Sequence, residues 1–364
     1  MPIPLIIAGV ALVAGSYGVK KGVDGYKSHS EADELIEKAK TRYEKQRSEV
    51  AVAEKNTQQE LTQLGELELQ IGASFQDFSR LADELLERLN RDRQDKIEVK
   101  LPQHKLAQIQ SYSFSAIGVL GSVAGAGVAG AAAGFAVYGG VMSFAAASTG
   151  TAISALSGIA ASNATLAAIG GGALSAGGLG IAGGTAILGA AVAAPVLAVA
   201  GWAYANHGEE ALSNARKASA EADTVVGKLI RAGHSLERTA EYVGKVKAAL
   251  THIDASFKGY HGKLKKVAQY IEVSKELALD GNVELGKLED DIMLSVQNGY
   301  AIAAILTDVM VTPLFKVRVV GGSAATDAEG IPELEKDEDG SLVLNEEAID
   351  SALATAEFNH LSIG

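Results

Sequence analysis

The stretch VGKVKAALTHIDASFKGYHGKLKKVAQYI, residues 243–271, sets Val243, Val246, Leu250, Ile253, Phe257, Tyr260, Leu264, Val267 and Ile271 at alternating steps of three and four. That spacing returns an apolar side chain to one stripe every 3.5 residues, which is the seam of a coiled coil or helical bundle. The pattern around it predicts one helix from near Glu209 to the Asp280-Gly281-Asn282 turn, with Gly233 and Gly259 as candidate bends. A further helix is expected from Val283 to about Val311, stopped before Pro313 and carrying Leu285, Leu288, Ile292, Val296 and Tyr300 on the side that folds back.

Upstream the same texture recurs. Ser30 reads as an N-cap, with Glu31, Asp33 and Glu34 in the first turn of a polar helix that runs to about Asp95. Its stripe is Leu61, Leu64, Ile71, Phe75, Phe78, Ala82, Leu85 and Leu89, which keeps the three-four step and skips one position, at Glu68. Pro102, within the stretch from Lys96 to Lys105, marks a break.

Between the two helical regions the composition changes abruptly. No Asp, Glu, Lys or Arg occurs from Leu106 to Gly208, a window of 103 residues in a chain of 364. All 76 charged side chains fall on the remainder, which is about 29% charged. Within the window, Ser115–Ala147 and Ala164–Ala205 are densest in apolar residues, and each exceeds the roughly 20 helical residues that cross a bilayer. A hairpin is the simplest topology. Four shorter crossings are the alternative, since Gly170-Gly171-Gly172, Gly177-Gly178 and Pro195 can divide the second stretch.

Tyr112 and Phe114 stand at the entry to the window and Trp202 and Tyr204 at its exit, where amphipathic rings favour the headgroup zone. Lys100 and Lys105 before it and Arg216 and Lys217 after it put both ends on one side of a membrane. Gly121 with Gly125, Gly130 with Gly134, and Gly180 with Gly184 are small residues four apart, which lets backbones approach in lipid. Alanine and glycine nevertheless dominate, and they contribute less to insertion than Leu, Ile, Phe or Val. The block therefore reads as a conditional hairpin, hidden against the charged helices in one state and released into lipid in another. The alternatives are a permanent membrane segment and a buried helix pair that never leaves the protein.

The termini differ from both textures. Ile3–Val19 is apolar for about 17 residues before Lys20 and Lys21, with its charges after the run, an order that argues against a cleaved signal and leaves an anchor or a buried helix. Leu314–Val320 is expected to be a short strand, Gly321–Gly340 an acidic loop, and Asn345 the cap of a last helix from Glu346 to about Phe358. By composition the chain divides into an apolar N-terminal segment (1–29), long amphipathic helices (30–105), the uncharged hairpin (106–208), long coiled-coil helices (209–312) and an acidic appendage (313–364).

This order of blocks, from about Ser30 to Val311, resembles the α-helical pore-forming toxins of the cytolysin A type, apolipoprotein L and the hydrophobic translocators of type III secretion. The resemblance implies a soluble bundle whose apolar hairpin inserts into a target bilayer, commonly with oligomerisation. The apolar N-terminus and the C-terminal appendage depart from it.

Chemistry is sparsely represented. The absence of cysteine excludes a disulfide framework, an all-cysteine zinc site and a thiol nucleophile. A net charge of −12 argues against nucleic acid, whose phosphates need clustered Lys and Arg. Glycine runs such as Gly178–Gly183 are followed by no Lys-Ser or Lys-Thr pair, so they read as packing residues and no cofactor is expected. His252 and His261 lack metal-site spacing and read as solvated. Glu335, Asp337, Asp339, Gly340, Ser341, Leu342 and Glu346 match positions of a calcium loop, but Pro332 stands where an entering helix belongs, and an acidic turn is the preferred reading. Charged residues such as Glu84, Glu87 and Arg88 read as solvated faces, and acid neutralisation of some of the 44 carboxylates would ease approach to anionic lipid.

The sequence thus predicts an all-α, elongated bundle of long coiled-coil helices with a glycine-rich hydrophobic hairpin and a small C-terminal appendage. It predicts a membrane-associated, non-enzymatic protein with a soluble state, whose partners are a lipid bilayer and a second copy or another helical protein. A membrane-anchored coiled-coil scaffold is the competing reading.

Overall fold

A computed structural model of the chain describes residues 22–91, 96–122, 131–137, 139, 208–276, 285–326 and 332–363. The fold is all-α. Among the described residues the helices are α1 (Gly22–Asn90), α2 (Gln103–Ser122), α3 (Gly208–Glu276), α4 (Leu285–Met310) and α5 (Glu346–Leu361), together with a short helical segment at 131–137. The described residues also form one two-stranded antiparallel sheet, β1 (Val319–Val320) with β2 (Ser323–Ala324). They fall into two compact units. One takes α1 through Arg47 and α3 through Leu229, and the other takes the chain from Ser48 and from Ile230 onward.

α1 begins at Gly22, so Ser30 lies inside the helix instead of capping it. An N-cap preference is worth about 1 kcal/mol and is a local bias. The two glycines at the start of α1 cost about as much each, and neither breaks the helix. At its other end, Asn90 exchanges two hydrogen bonds with Ile97, donating from Nδ2 to the Ile97 carbonyl at 3.0 Å and accepting from its N–H at 2.7 Å. The chain then turns through residues 96–102, and the Pro102 carbonyl accepts from the N–H groups of Lys105 and Leu106 as α2 begins.

The partners along α1 and α3 fix their relative direction. In the smaller unit Arg42 bonds Asp223 at 2.8 Å. In the larger one the Thr57 hydroxyl donates to the Leu236 carbonyl at 2.9 Å, Lys247 meets Glu60 at 2.6 Å, and Lys265 meets Asp77 at 2.8 Å. Numbers rise together on both helices, so they run parallel. α4 runs the other way: Asn298 donates to Tyr260 at 3.0 Å, while Val309 shares a small cavity with Val246 and Leu64. α5 follows α3, with Arg238 on Glu346, Tyr242 on Asp350 and Ser256 on His360.

The seam of α3 faces the core. Val243, Val246, Leu250, Ile253, Phe257, Leu264 and Ile271 are buried, and Tyr260 and Val267 pack against them half-buried. From α1 come Leu61, Leu64, Ile71, Phe75, Phe78, Ala82, Leu85 and Leu89. The rings of Phe75 and Phe78 each lie 5.2 Å from Phe257, and Phe78 meets Tyr300 edge-on at 5.0 Å. Gly299 makes room for that stack, because a Cβ there would stand 2.3 Å from the Phe78 ring. α4 is buried on all sides from Ile302 to Thr307, which is why it is apolar around its whole circumference.

The residues expected to form an acidic loop are instead woven into a β clasp. Segment 315–319 bridges successively to Leu344, Leu334 and Ala324. Gly321 and Gly322, at φ 63° and 87°, supply the two left-handed residues that a tight hairpin turn requires. Asp337 Oδ1 accepts from the N–H groups of Asp339 and Ser341, closing a second turn at Gly340. Asn345 precedes α5, but its side chain donates to the Pro313 carbonyl at 3.1 Å and leaves the helix uncapped by a side chain. Tying the end of α4 to the start of α5 outcompetes the local cap.

Candidate functional site

The one break in the α1 stripe locates the site. Glu68 occupies the seam position between Leu64 and Ile71, and it is only 4% exposed. Gly65 and Gly72 flank it at steps of three and four, so all three share a helix face. On that face lies the beginning of the uncharged window. A Cβ at residue 65 would stand 1.8 Å from the Ala132 carbonyl oxygen, and one at residue 72 would stand 2.6 Å from the Ala116 Cβ. Both glycines are thus required by close approach: the notch admits the 131–137 backbone at one level and α2 at the other.

The remaining contacts of the seat come from residues that the window brings in. Tyr112 and Phe135 meet edge-on at 5.4 Å, and both are buried. Ile109, Ala116 and Val119 complete the inward face of α2, with Ala131, Ala132 and Ala136 beside them. Lys105 is ion-paired with Asp308 of α4, holding the start of α2.

Polar satisfaction in this seat is poor. Gln108 Oε1, Tyr112 Oη and Ser113 Oγ, all on α2, are buried without a hydrogen-bond partner. Tyr112 Oη and the Glu68 carboxyl influence one another electrostatically without reaching hydrogen-bond geometry. Burial is the main cause that holds the Glu68 carboxyl well above the ordinary carboxylate range, and the Tyr112 hydroxyl opposes it only partly. A buried donor or acceptor left unpaired costs about 1–3 kcal/mol. The arrangement therefore binds an apolar segment by shape while charging it a polar penalty.

Of the residues expected to meet lipid, Tyr112 is in the core of this state and Gly134 is buried within 131–137. Gly121 is exposed with open space around it, and Phe114 and Leu120 on the same helix are exposed as well. Gly125, Gly130, Gly180, Gly184, Trp202 and Tyr204 lie outside the described residues. Gly65, Gly72 and Phe135 carry no mark in the sequence that sets them apart. Glu68 had a signal, a carboxyl standing where the stripe demands an apolar residue.

No family model, curated protein or solved structure matches this chain. Among the described residues, one helix is long and apolar enough to cross a membrane, Leu288–Met310 in α4, and 67% of that window is buried. A central bundle helix has those same properties.

Other features of the described residues have structural explanations. The calcium-loop positions are spent elsewhere: Asp339 holds Arg231 at 2.5 Å, Glu346 takes Arg238 through two hydrogen bonds at 2.7 Å, and Asp337 closes its turn. His261 is not solvated as expected but buried, 3.1 Å from Asp77, and burial lowers its pKa so that it stays neutral near pH 7. His360 shares a 2.8 Å hydrogen bond with Ser256 and meets His252 edge-on at 5.2 Å. A groove of about 660 Å³ between α4, α5 and the clasp is lined by Ile305, Asp308, Lys316, Glu335, Ser351 and Ala352 among others.

Proposed function

We propose that this chain is a membrane-inserting helical protein that passes from a soluble bundle to an inserted, oligomeric state and permeabilises the bilayer. The observation that carries the reading is the 103-residue uncharged window, long enough for two or more crossings, set in a chain whose 76 charged side chains all fall before or after it. The glycine seat on α1 supports it, since the start of the window is held there with buried polar atoms unpaired. An apolar segment stored at a cost is one that a bilayer can take over, because there its apolar side chains remain out of water after leaving the bundle. Pore formation through oligomerisation is the form of permeabilisation we favour, with a lipid bilayer and further copies of the chain as partners and no enzymatic role.

Trp202, the single tryptophan, lies at the exit of the window and reports on its environment. Titration with anionic and zwitterionic liposomes carrying a self-quenched dye reads insertion and leakage in one sample. A blue shift of Trp202 emission with dye release is the expected result. A blue shift without release would replace the pore with a membrane-anchored coiled-coil scaffold, and neither signal would make the window an internal core.

A further inference from the structure

We propose that α2 and residues 131–137 form a latch seated in the Gly65–Gly72 notch of α1, and that ionisation of Glu68 within that seat releases it. The inference rests on the membrane-inserting reading for its purpose and adds to it a trigger.

Among the described residues, the seat has one ionisable acid and no countercharge. Facing Glu68 are Tyr112 from α2, Ala136 from the 131–137 segment, Val246 from α3, Val309 from α4, and Ile349 with Leu353 from α5. Tyr112 is the titratable member of that set. Lys105 and Asp308 at the α2–α4 contact are paired with each other, and Lys247, beside Val246, is spent on Glu60 and Gln63. No cation among these is left to receive a Glu68 carboxylate. A protonated carboxyl can stay in such a place at modest cost, whereas an ionised one without a partner cannot.

Moving the window uncovers Glu68 on the side of Tyr112 and Ala136. The helices α1, α3 and α4 meet one another through the aromatic stack of Phe75, Phe78, Phe257 and Tyr300, which is distant in sequence from α2. α2, by contrast, is held by its apolar face of Ile109, Ala116 and Val119, by close approach at Gly72 and by one ion pair at its first turn, against three unpaired polar atoms of its own. Hydrating Glu68 at the expense of α2 contacts relieves all four polar groups together. The docked state binds the proton more tightly than the released one, so docking is favoured at low pH and lost as pH rises through the docked-state pKa of Glu68. This is opposite in sense to the surface-charge expectation, in which acid favours approach to anionic lipid.

Hydrogen exchange of the full-length protein without lipid, with rates normalised to intrinsic exchange at each pH, tests the latch apart from any membrane activity. As pH rises above the ordinary carboxylate range, protection of amides in 103–122 should fall, approaching about tenfold per pH unit between the released-state and docked-state pKa values of Glu68, while amides around Phe257 in α3 keep theirs. In Glu68→Gln the fall should vanish. In Tyr112→Phe, which removes the hydroxyl that favours the carboxylate, the midpoint should move to higher pH. A flat profile in the unaltered protein, an equal fall in Glu68→Gln, a midpoint that stays or drops in Tyr112→Phe, or joint loss of α2 and α3 protection would each overturn the latch. Absence of both a Trp202 blue shift and leakage with liposomes would remove the membrane reading and leave these exchange results standing.

Discussion

Gly65 of α1 faces Ala132 so closely that a Cβ would come within 1.8 Å of the Ala132 carbonyl oxygen. The neighbour is backbone, which cannot rotate aside as a side chain can. Gly65→Ala should therefore displace 131–137, with a cost of about 1–3 kcal/mol as for other overpacked sites. Exchange protection at 131–137 is the measurement, with the urea midpoint as a check on the bundle. Unchanged protection there would mean that the seat yields, and that the notch does not hold the segment.

Phe257 is fully buried and touches Phe75, Phe78 and His261, whereas Phe358 on α5 is 74% exposed. Truncating the first to alanine should cost about 3–5 kcal/mol, since both transfer energy and a cavity are involved. Truncating the second should change stability by no more than about 0.5 kcal/mol. Denaturant unfolding of both variants decides, and similar midpoints would contradict the placement of the core.

Acid should act through Asp77. Lys265 first, then Arg80, hold its carboxyl down to about 2 against an ordinary 3.8. A depressed carboxylate contributes stability that is present above the unfolded value and lost as pH falls through the folded one, so the window is about pH 4 to 2. Asp77→Asn should flatten the stability profile in that window. A profile as steep as that of the unaltered protein would assign the acid limb to other carboxylates.

The β clasp and α5 are fastened to α3 by Arg231 on Asp339 and Arg238 on Glu346, and Tyr242 adds a 3.0 Å bond to Asp350. These pairs sit in solvent, so salt should weaken them. Replacing both arginines by alanine should increase protease cleavage within the clasp and remove the salt dependence of that cleavage, with little change in global unfolding. Cleavage that stays at the unaltered rate would show that burial of Phe315, Leu342 and Ile349 suffices to hold the clasp.

The helices were legible because their information is periodic and local. A three-four stripe of nine positions in α3 specifies a helix and its inward face from sequence order alone, and Pro102 and Pro313 mark breaks through their missing N–H. The clasp was less so. Gly321-Gly322 carries a hairpin signal, but a segment that pairs with three others in turn is defined by contacts 5, 17 and 29 residues away, which no window of sequence contains.

The seat shows the same division. Composition determined by itself that residues 106–208 lack charge, because hydropathy belongs to each residue irrespective of its neighbours. Which partner takes the start of that window was decided only in three dimensions. Gly65 and Gly72 are ordinary glycines until the backbone of Ala132 and the methyl of Ala116 arrive, and Glu68 is an ordinary carboxyl until Tyr112 and the apolar walls of its cavity remove its water. Proximity and desolvation are properties of the packed chain, and the parallel course of α1 and α3, which sets the level at which each partner meets, is encoded in neither stripe.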